Sequence, residues 1–321
     1  MWRYREAIPV EKDENIVSFG EGFTPLLEIN IENTSVIVKY DCLFPTGSFK
    51  DRGASVLVSK IKELGIKKIV EDSSGNAGAA IAAYSAKAGI DCEIFVPEGI
   101  SESKLKQIRY YGATLHKIPG SRENTAHKAM KAAQDSYYAS HSWNPFFFHG
   151  TKTFAFEVCE QLGWKAPDSL VVPVGNGTLL LGAYIGFQDL IHAGIINTIP
   201  KLIAIQSARC APLYRAFEDG VAEIKEFSGD FTVAEGVAVA KPVRGEQILD
   251  AVMKSGGYFI IVEENEIVEA LKEMSRRGLY IEPTSASAIA GLKKYIQNAR
   301  PEELIVSVLT GHGLKSREKL F

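Results

Sequence analysis

The sequence predicts an α/β protein of two three-layer domains, each a mostly parallel sheet covered by helices. Three observations predict it. The chain of 321 residues exceeds the usual span of one hydrophobic core. Strand-like and helix-like patterns alternate along almost all of it in two series, as parallel sheets with helical crossovers require. Several strand-to-helix turns are rich in glycine, serine and asparagine, at the carboxyl edge of the expected sheets where ligands gather.

The elements follow in order. Residues 36–40 alternate as a strand and 52–64 as a helix; 67–73 is again a strand, and the alanine-rich 76–88 a helix. A short apolar run at 92–97 precedes a charged helix opened by Ser101-Glu102-Ser103-Lys104, then a strand at 113–118 and a helix at 123–134. The second series has helices at 154–162, 179–193, 266–277 and 285–297, with strands at 169–174, 202–206, 258–262 and 304–309. The expected division is a small domain over 46–143 and a large one made of 1–45 plus 144–321, with 143–150 as the crossover.

Composition narrows the class. Hydrophobic residues make up 46% and charged residues 23% of the chain, as in ordinary globular proteins. A formal net charge of -3 supplies no basic field for a phosphate backbone, so nucleic acid is not the expected partner. The opening residues lack the apolar core of a signal peptide, and the apolar runs are too short for a bilayer span. Cys42, Cys92, Cys159 and Cys210 stand far apart without metal-ligand spacing, and Cys92 and Cys159 lie among apolar neighbours. The expectation is a reduced, cytoplasmic protein with no metal site.

Four turns carry chemistry. Pro45-Thr46-Gly47-Ser48-Phe49-Lys50-Asp51-Arg52-Gly53 places a lysine at a helix entrance, where the macrodipole disfavours a cation and favours a nucleophilic amine. Ser73-Ser74-Gly75-Asn76-Ala77 opens the alanine-rich helix and offers N–H groups to a carboxylate, although serine and asparagine also serve as plain caps there. Gly175-Asn176-Gly177-Thr178-Leu179 follows a strand directly. Its spacing is neither a dinucleotide fingerprint nor a P-loop, and it suits a single phosphate group. Thr310-Gly311-His312-Gly313 closes the last strand; Thr310 offers a hydroxyl to a buried ring nitrogen, and His312 is given no catalytic role.

Together these turns resemble the fold-type II pyridoxal-phosphate enzymes, the tryptophan synthase β family, and most closely its threonine synthases. Gly20-Glu21-Gly22-Phe23-Thr24-Pro25-Leu26, Ser48-Phe49-Lys50-Asp51-Arg52-Gly53, Glu282-Pro283-Thr284-Ser285-Ala286 and Thr310 to Lys315 carry the likeness, from about Ser18 to Lys315. The resemblance implies pyridoxal 5'-phosphate held as a Schiff base on Lys50, which also shuttles the α proton. It implies Asn76 at the cofactor's 3' oxygen, a phosphate cup of Gly175, Asn176, Gly177, Thr178 and Leu179, and Thr310 facing the pyridine nitrogen. Ser73, Ser74, Gly75, Asn76 and Ala77 would take the substrate carboxylate. A neutral hydroxyl opposite the ring nitrogen suits elimination better than transamination.

Two positions depart from the threonine synthase pattern. Phe147 stands where those enzymes commonly carry an arginine associated with the substrate's phosphate, and Ala77 replaces a threonine. Lys152 is the residue expected to restore positive charge. Ala234-Glu235-Gly236-Val237-Ala238-Val239 looks more like serine and threonine dehydratases. The implied activity is a lyase turning O-phosphohomoserine into threonine and phosphate. The alternatives are a serine or threonine dehydratase, a β-replacement enzyme on an activated serine, or a non-enzymatic sensor of amino acid or cofactor. The resemblance also implies a homodimer acting on a small amino acid, with no nucleic-acid or membrane partner.

Overall fold

The computed structural model describes residues 1–315 apart from 101, 121, 226 and 228; the expected helix start at Ser101 lies outside the described residues. Along the chain run β1 (Leu26–Ile31), β2 (Thr34–Lys39), α1 (Lys50–Glu63), β3 (Lys68–Glu71), α2 (Asn76–Ala88), β4 (Asp91–Pro97), α3 (Glu102–Tyr110), β5 (Thr114–Ile118), α4 (Arg122–Ala132), β6 (Tyr137–Tyr138) and α5 (Pro145–Thr151). Then follow α6 (Thr153–Gln161), β7 (Ser169–Pro173), α7 (Thr178–His192), β8 (Lys201–Ser207), α8 (Pro212–Glu218), α9 (Gly245–Lys254), β9 (Tyr258–Val262), α10 (Glu264–Arg276), α11 (Pro283–Ile296) and β10 (Ile305–Val308).

The chain divides into two compact units: Met1–Gly22 with Phe44–Thr151, and Phe23–Leu43 with Lys152–Phe321. Sequence pattern alone sets residues 1–45 and 144–151 with the large domain; here 1–22, 44–45 and 144–151 belong to the first unit. Burial is the reason. Met1, Ile8 and Val10 pack on Val56 of α1, and Trp2 Nε1 donates to Ser55 Oγ at 2.9 Å. α5 lies against α1 so closely that a Cβ on Gly53 would stand 2.3 Å from the Phe147 ring.

The first unit holds a four-stranded sheet in the order β5-β4-β3-β6, every neighbouring pair parallel. α2 is helical because it is mostly alanine, and it ends at Gly89, whose φ of 65° lets the chain turn out of the helix. Its core joins Leu57, Ile61, Ile69, Ile81, Ile94 and Phe147.

The second unit holds a six-stranded sheet, β1-β2-β10-β7-β8-β9. It is parallel except for the β1–β2 hairpin, whose turn residues Glu32 and Asn33 both have positive φ, the geometry of a two-residue hairpin loop. β7 is central and buried at every position. Such an all-apolar run is what a strand covered on both faces needs. At the end of β2, the Lys39 ammonium is fully buried yet paired with Glu157 at 2.9 Å and donates to the Thr24 carbonyl and Gln161 Oε1, so the charge is compensated from three sides. Among the described residues no helix is long and apolar enough to cross a membrane, and no group of three or more acidic, histidine or cysteine side chains forms a metal cluster.

Candidate active site

In the first unit, Lys50 is the first residue of α1, two positions earlier than the helical pattern predicts. The turn before it is tied down by Asp51. This buried carboxylate accepts the Thr46 backbone N–H at 2.8 Å and the Thr46 hydroxyl, acting as an acidic group in the first turn of the helix. The lysine's position is thereby set by backbone, not by its own flexible stem. Its Nζ lies 4.5 Å from the Phe49 ring centroid and 5.9 Å from that of Phe147. Beside it Ser48 is 0% exposed, and its hydroxyl makes no hydrogen bond within the protein.

β3 delivers the Ser73 to Ala77 turn to the start of α2. Gly75 is the N-cap and its N–H donates to Ser73 Oγ at 3.3 Å, so the expected carboxylate turn is at a helix N-terminus. Pattern reading missed what stands behind it. Glu71, the last residue of β3, is fully buried and accepts the backbone N–H of His141 at 3.2 Å while contacting its Nδ1 at 2.8 Å. Burial, and then the carboxylates of Asp72 and Glu71, push the neighbouring Tyr138 hydroxyl pKa up, keeping that phenol neutral.

In the second unit, β7 ends at Pro173 and α7 begins at Thr178 with Gly177 as its N-cap at φ 69°. A side chain there would be strained in backbone and would meet Ile248 at 2.3 Å; one on Gly175 would meet the Gly236 carbonyl at 2.5 Å. Both positions are therefore held to glycine, and the turn runs straight into the N-terminus of α7, where a helix start favours an anion. Gly236 in turn accepts no side chain because Thr284 stands 2.6 Å from where its Cβ would be, and its N–H donates to Thr284 Oγ1 at 3.0 Å. So the 175–179 turn, the dehydratase-like 234–239 stretch and the 282–286 segment are one neighbourhood.

Thr310 belongs to the same neighbourhood. It is 0% exposed; its hydroxyl donates to Glu282 Oε1 at 2.9 Å and lies 2.9 Å from Ser285 Oγ. A short antiparallel contact, with Glu282 N–H donating to the Gly311 carbonyl at 2.9 Å and Ile281 bridged to His312, holds the two segments in register. His312 packs edge-on against Tyr280 and accepts the Leu314 N–H at 3.2 Å. Sequence reasoning used Glu282 to Ala286 only for the family likeness and gave Glu282 and Ser285 no part in the site.

Lys152 and Phe147 occupy different settings. Lys152 is 4% exposed, and its Nζ pairs with Asp189 at 2.7 Å in the second unit. Phe147 is 0% exposed and part of the first unit's core. The thiols are buried and free: burial pushes Cys159 up to about 12, and burial plus the Glu71 carboxylate pushes Cys92 to about 12. They behave as small hydrophobes, as their apolar neighbours predict.

Residues 17–311 match the family model described as pyridoxal-phosphate dependent enzyme. The threonine synthase of Methanocaldococcus jannaschii is 40% identical over 98% of this chain and 80% of its own length. That of Methanosarcina acetivorans is 35% identical over 98% and 80%. Among solved structures, maize serine racemase superposes with a TM-score of 0.80 at 21% identity, over 96% of this chain and 92% of its own, a likeness of fold. The chain belongs to the fold-type II pyridoxal-phosphate-dependent enzymes, and within them to the threonine synthase-like lyases.

Proposed function

We propose that this lyase converts O-phosphohomoserine to threonine and inorganic phosphate, with pyridoxal phosphate attached at Nζ of Lys50. The observation that carries the cofactor assignment is the turn after β7, where Gly175 and Gly177 lead directly into the N-terminus of α7 and neither position has room for a Cβ. One phosphate group fits such a turn. The donor set elsewhere fits the rest of the molecule: an amine at a rigid helix start, a buried hydroxyl at Thr310, and the unpaired hydroxyl of Ser48.

Bound there, pyridoxal phosphate supplies an electron sink for negative charge at the substrate's α carbon. Lys50 holds the cofactor and carries the α proton at Nζ. Asn76 hydrogen-bonds the 3' oxygen, and Gly175, Asn176, Gly177, Thr178 and Leu179 enclose the phosphate. Thr310 faces the ring nitrogen. Ser73, Ser74, Gly75, Asn76 and Ala77 receive the substrate carboxylate at the start of α2, where the helix dipole favours an anion. Lys152 is the cation assigned to the substrate's phosphate, in exchange for its pairing with Asp189.

One observation favours a second reading. Phe147 is buried core, packed against Gly53, so the position supplies no donor to a phosphate ester. A dehydratase acting on serine or threonine, or a β-replacement enzyme on an activated serine, needs none. Products separate the readings: purified enzyme given O-phosphohomoserine should release phosphate and threonine, whereas ammonia and a 2-oxo acid from serine or threonine would establish the dehydratase. Equal turnover of O-phosphohomoserine by wild type and Lys152→Ala would remove Lys152 from recognition. A homodimer in the cytoplasm, without nucleic-acid or membrane partners, completes the proposal; it rests on the family, and sedimentation of the purified protein tests the dimer.

A further inference from the structure

We infer that Glu264 is a positioning residue for the cofactor's phosphate, because it anchors the strap of residues 232–239 that walls the turn at Gly175. The inference rests on the proposed phosphate cup at residues 175–179 and deepens it.

The cup cannot hold its own shape. Glycine backbone is permissive, and the turn opens Gly175-Asn176-Gly177, so its neighbours must fix it. On one side stands Ile248, 2.3 Å from where a Cβ on Gly177 would be. On the other stands the strap. The Gly236 carbonyl, the Val239 side chain and the Val237 Cα lie 2.5, 3.0 and 3.2 Å from where a Cβ on Gly175 would be. Contacts this close mean that a shift of the strap is passed straight to the turn.

Both are referred to the last two residues of β8. Gln206 Nε2 donates to the carbonyl of Val174, the residue before Gly175, at 3.2 Å. Ser207 faces the other way, as alternate residues of a strand do, and its hydroxyl donates to Glu264 Oε1 at 2.8 Å. The same oxygen accepts the Thr232 hydroxyl at 2.6 Å, and Oε2 accepts the Val233 N–H at 2.8 Å. One carboxylate thus ties the start of the strap to β8, the strand beside the one that carries the cup. Each hydroxyl also accepts a backbone N–H, that of Arg209 at Ser207 and that of Ala234 at Thr232, which orients it toward the carboxylate. Glu264 is itself the first residue of α10, where the helix dipole favours an acidic side chain. Farther along, Thr284 Oγ1 accepts the Gly236 N–H at 3.0 Å. Ala234 and Val237 are buried in the core of this unit, but apolar burial is not directional. Charge-assisted hydrogen bonds are, and they set where along its own length the strap sits.

The test titrates apoenzyme with pyridoxal 5'-phosphate and, separately, with pyridoxal, which lacks only the phosphate; the visible absorbance band reports binding. Wild type should prefer the phosphate form. Glu264→Ala should lower that preference by about tenfold or more, the scale of a lost hydrogen bond to a charged group, and leave the affinity for pyridoxal unchanged. Wild type binding both ligands equally would remove the phosphate from the cup, and the inference with it. A preference that survives Glu264→Ala overturns the role of Glu264 and leaves the cup standing. Equal weakening toward both ligands makes Glu264 a general structural residue and overturns the inference as well. Should Glu264→Ala not fold, the strap's other anchor decides by the same ratio: Thr284→Val should lower the preference and Thr284→Ser should restore it, and no response to Thr284→Val overturns the inference.

Discussion

Lys50, in the first unit, has its amine beside two aromatic rings and close to a buried serine hydroxyl that bonds to nothing in the protein. Thr310, in the second, donates its hydroxyl to the Glu282 carboxylate and lies 2.9 Å from Ser285 Oγ. The first unit sets its lysine by a fixed backbone turn beside two aromatic rings; the second sets its hydroxyl by hydrogen bonds. The difference teaches that one family's site can draw on two kinds of preorganisation, each breakable separately.

The largest break is expected at Lys50. Lys50→Ala should lower turnover by about 10³-fold or more, the scale lost with an essential proton carrier, with phosphate release from O-phosphohomoserine as the readout. Next is the apolar side of the comparison. Phe147→Ala should destabilise the protein by about 3–5 kcal/mol, the usual cost of emptying a core aromatic site, seen as a lower denaturant midpoint. A change of only a few tenths would mean that Phe147 is not core. In the second unit, Gly177→Ala forces a side chain into positive φ against Ile248. Strain of roughly 1–3 kcal/mol should appear as about 5- to 150-fold weaker cofactor binding, measured by cofactor titration of the apoenzyme.

How far these features could be read from sequence divides along the same line. The helix starts at Lys50, Asn76 and Thr178 were legible from the periodicity, and the structure begins α1, α2 and α7 within two residues of the expected starts. The β1–β2 hairpin was not: its turn is Glu32-Asn33 with no glycine, so the usual hairpin signal is missing. α5 was read as a crossover because Pro145-Phe146-Phe147-Phe148 carries no helical period, and its helicity comes from packing on α1. α9 could have been found, since Ile248, Leu249 and Val252 are buried on one face at helical spacing. The contacts of Glu282 and Ser285 with Thr310 were out of reach for a different reason: they join residues 25 or more positions apart along the chain, which local pattern does not record.

A smaller effect compares the units through their thiols. Cys92 and Cys159, one in each, have folded pKa values of about 12 against 9.0 for an exposed thiol. A raised pKa stabilises the fold fully below the unfolded value and loses that contribution as pH climbs toward the folded one. Stability should therefore fall above pH 9 by at most about 1.4 kcal/mol per pH unit for each thiol. Alanine at either position should flatten the slope in denaturant titrations between pH 9 and 11; an unchanged slope would mean that the thiol ionises freely in the fold. The smallest effect is at Lys152, whose pair with the partly exposed Asp189 is worth about 1 kcal/mol or less. Asp189→Ala should barely shift the unfolding midpoint, and a large loss would make the pair a structural necessity and count against its exchange for a substrate phosphate.

Whether one lysine, at the first position of α1, carries the cofactor is decided by borohydride reduction of the holoenzyme followed by peptide mass mapping. The expected result is a reduced pyridoxyl group on the peptide containing Lys50 and on no other; a label on another lysine, or none at all, would exclude Lys50 as the attachment point.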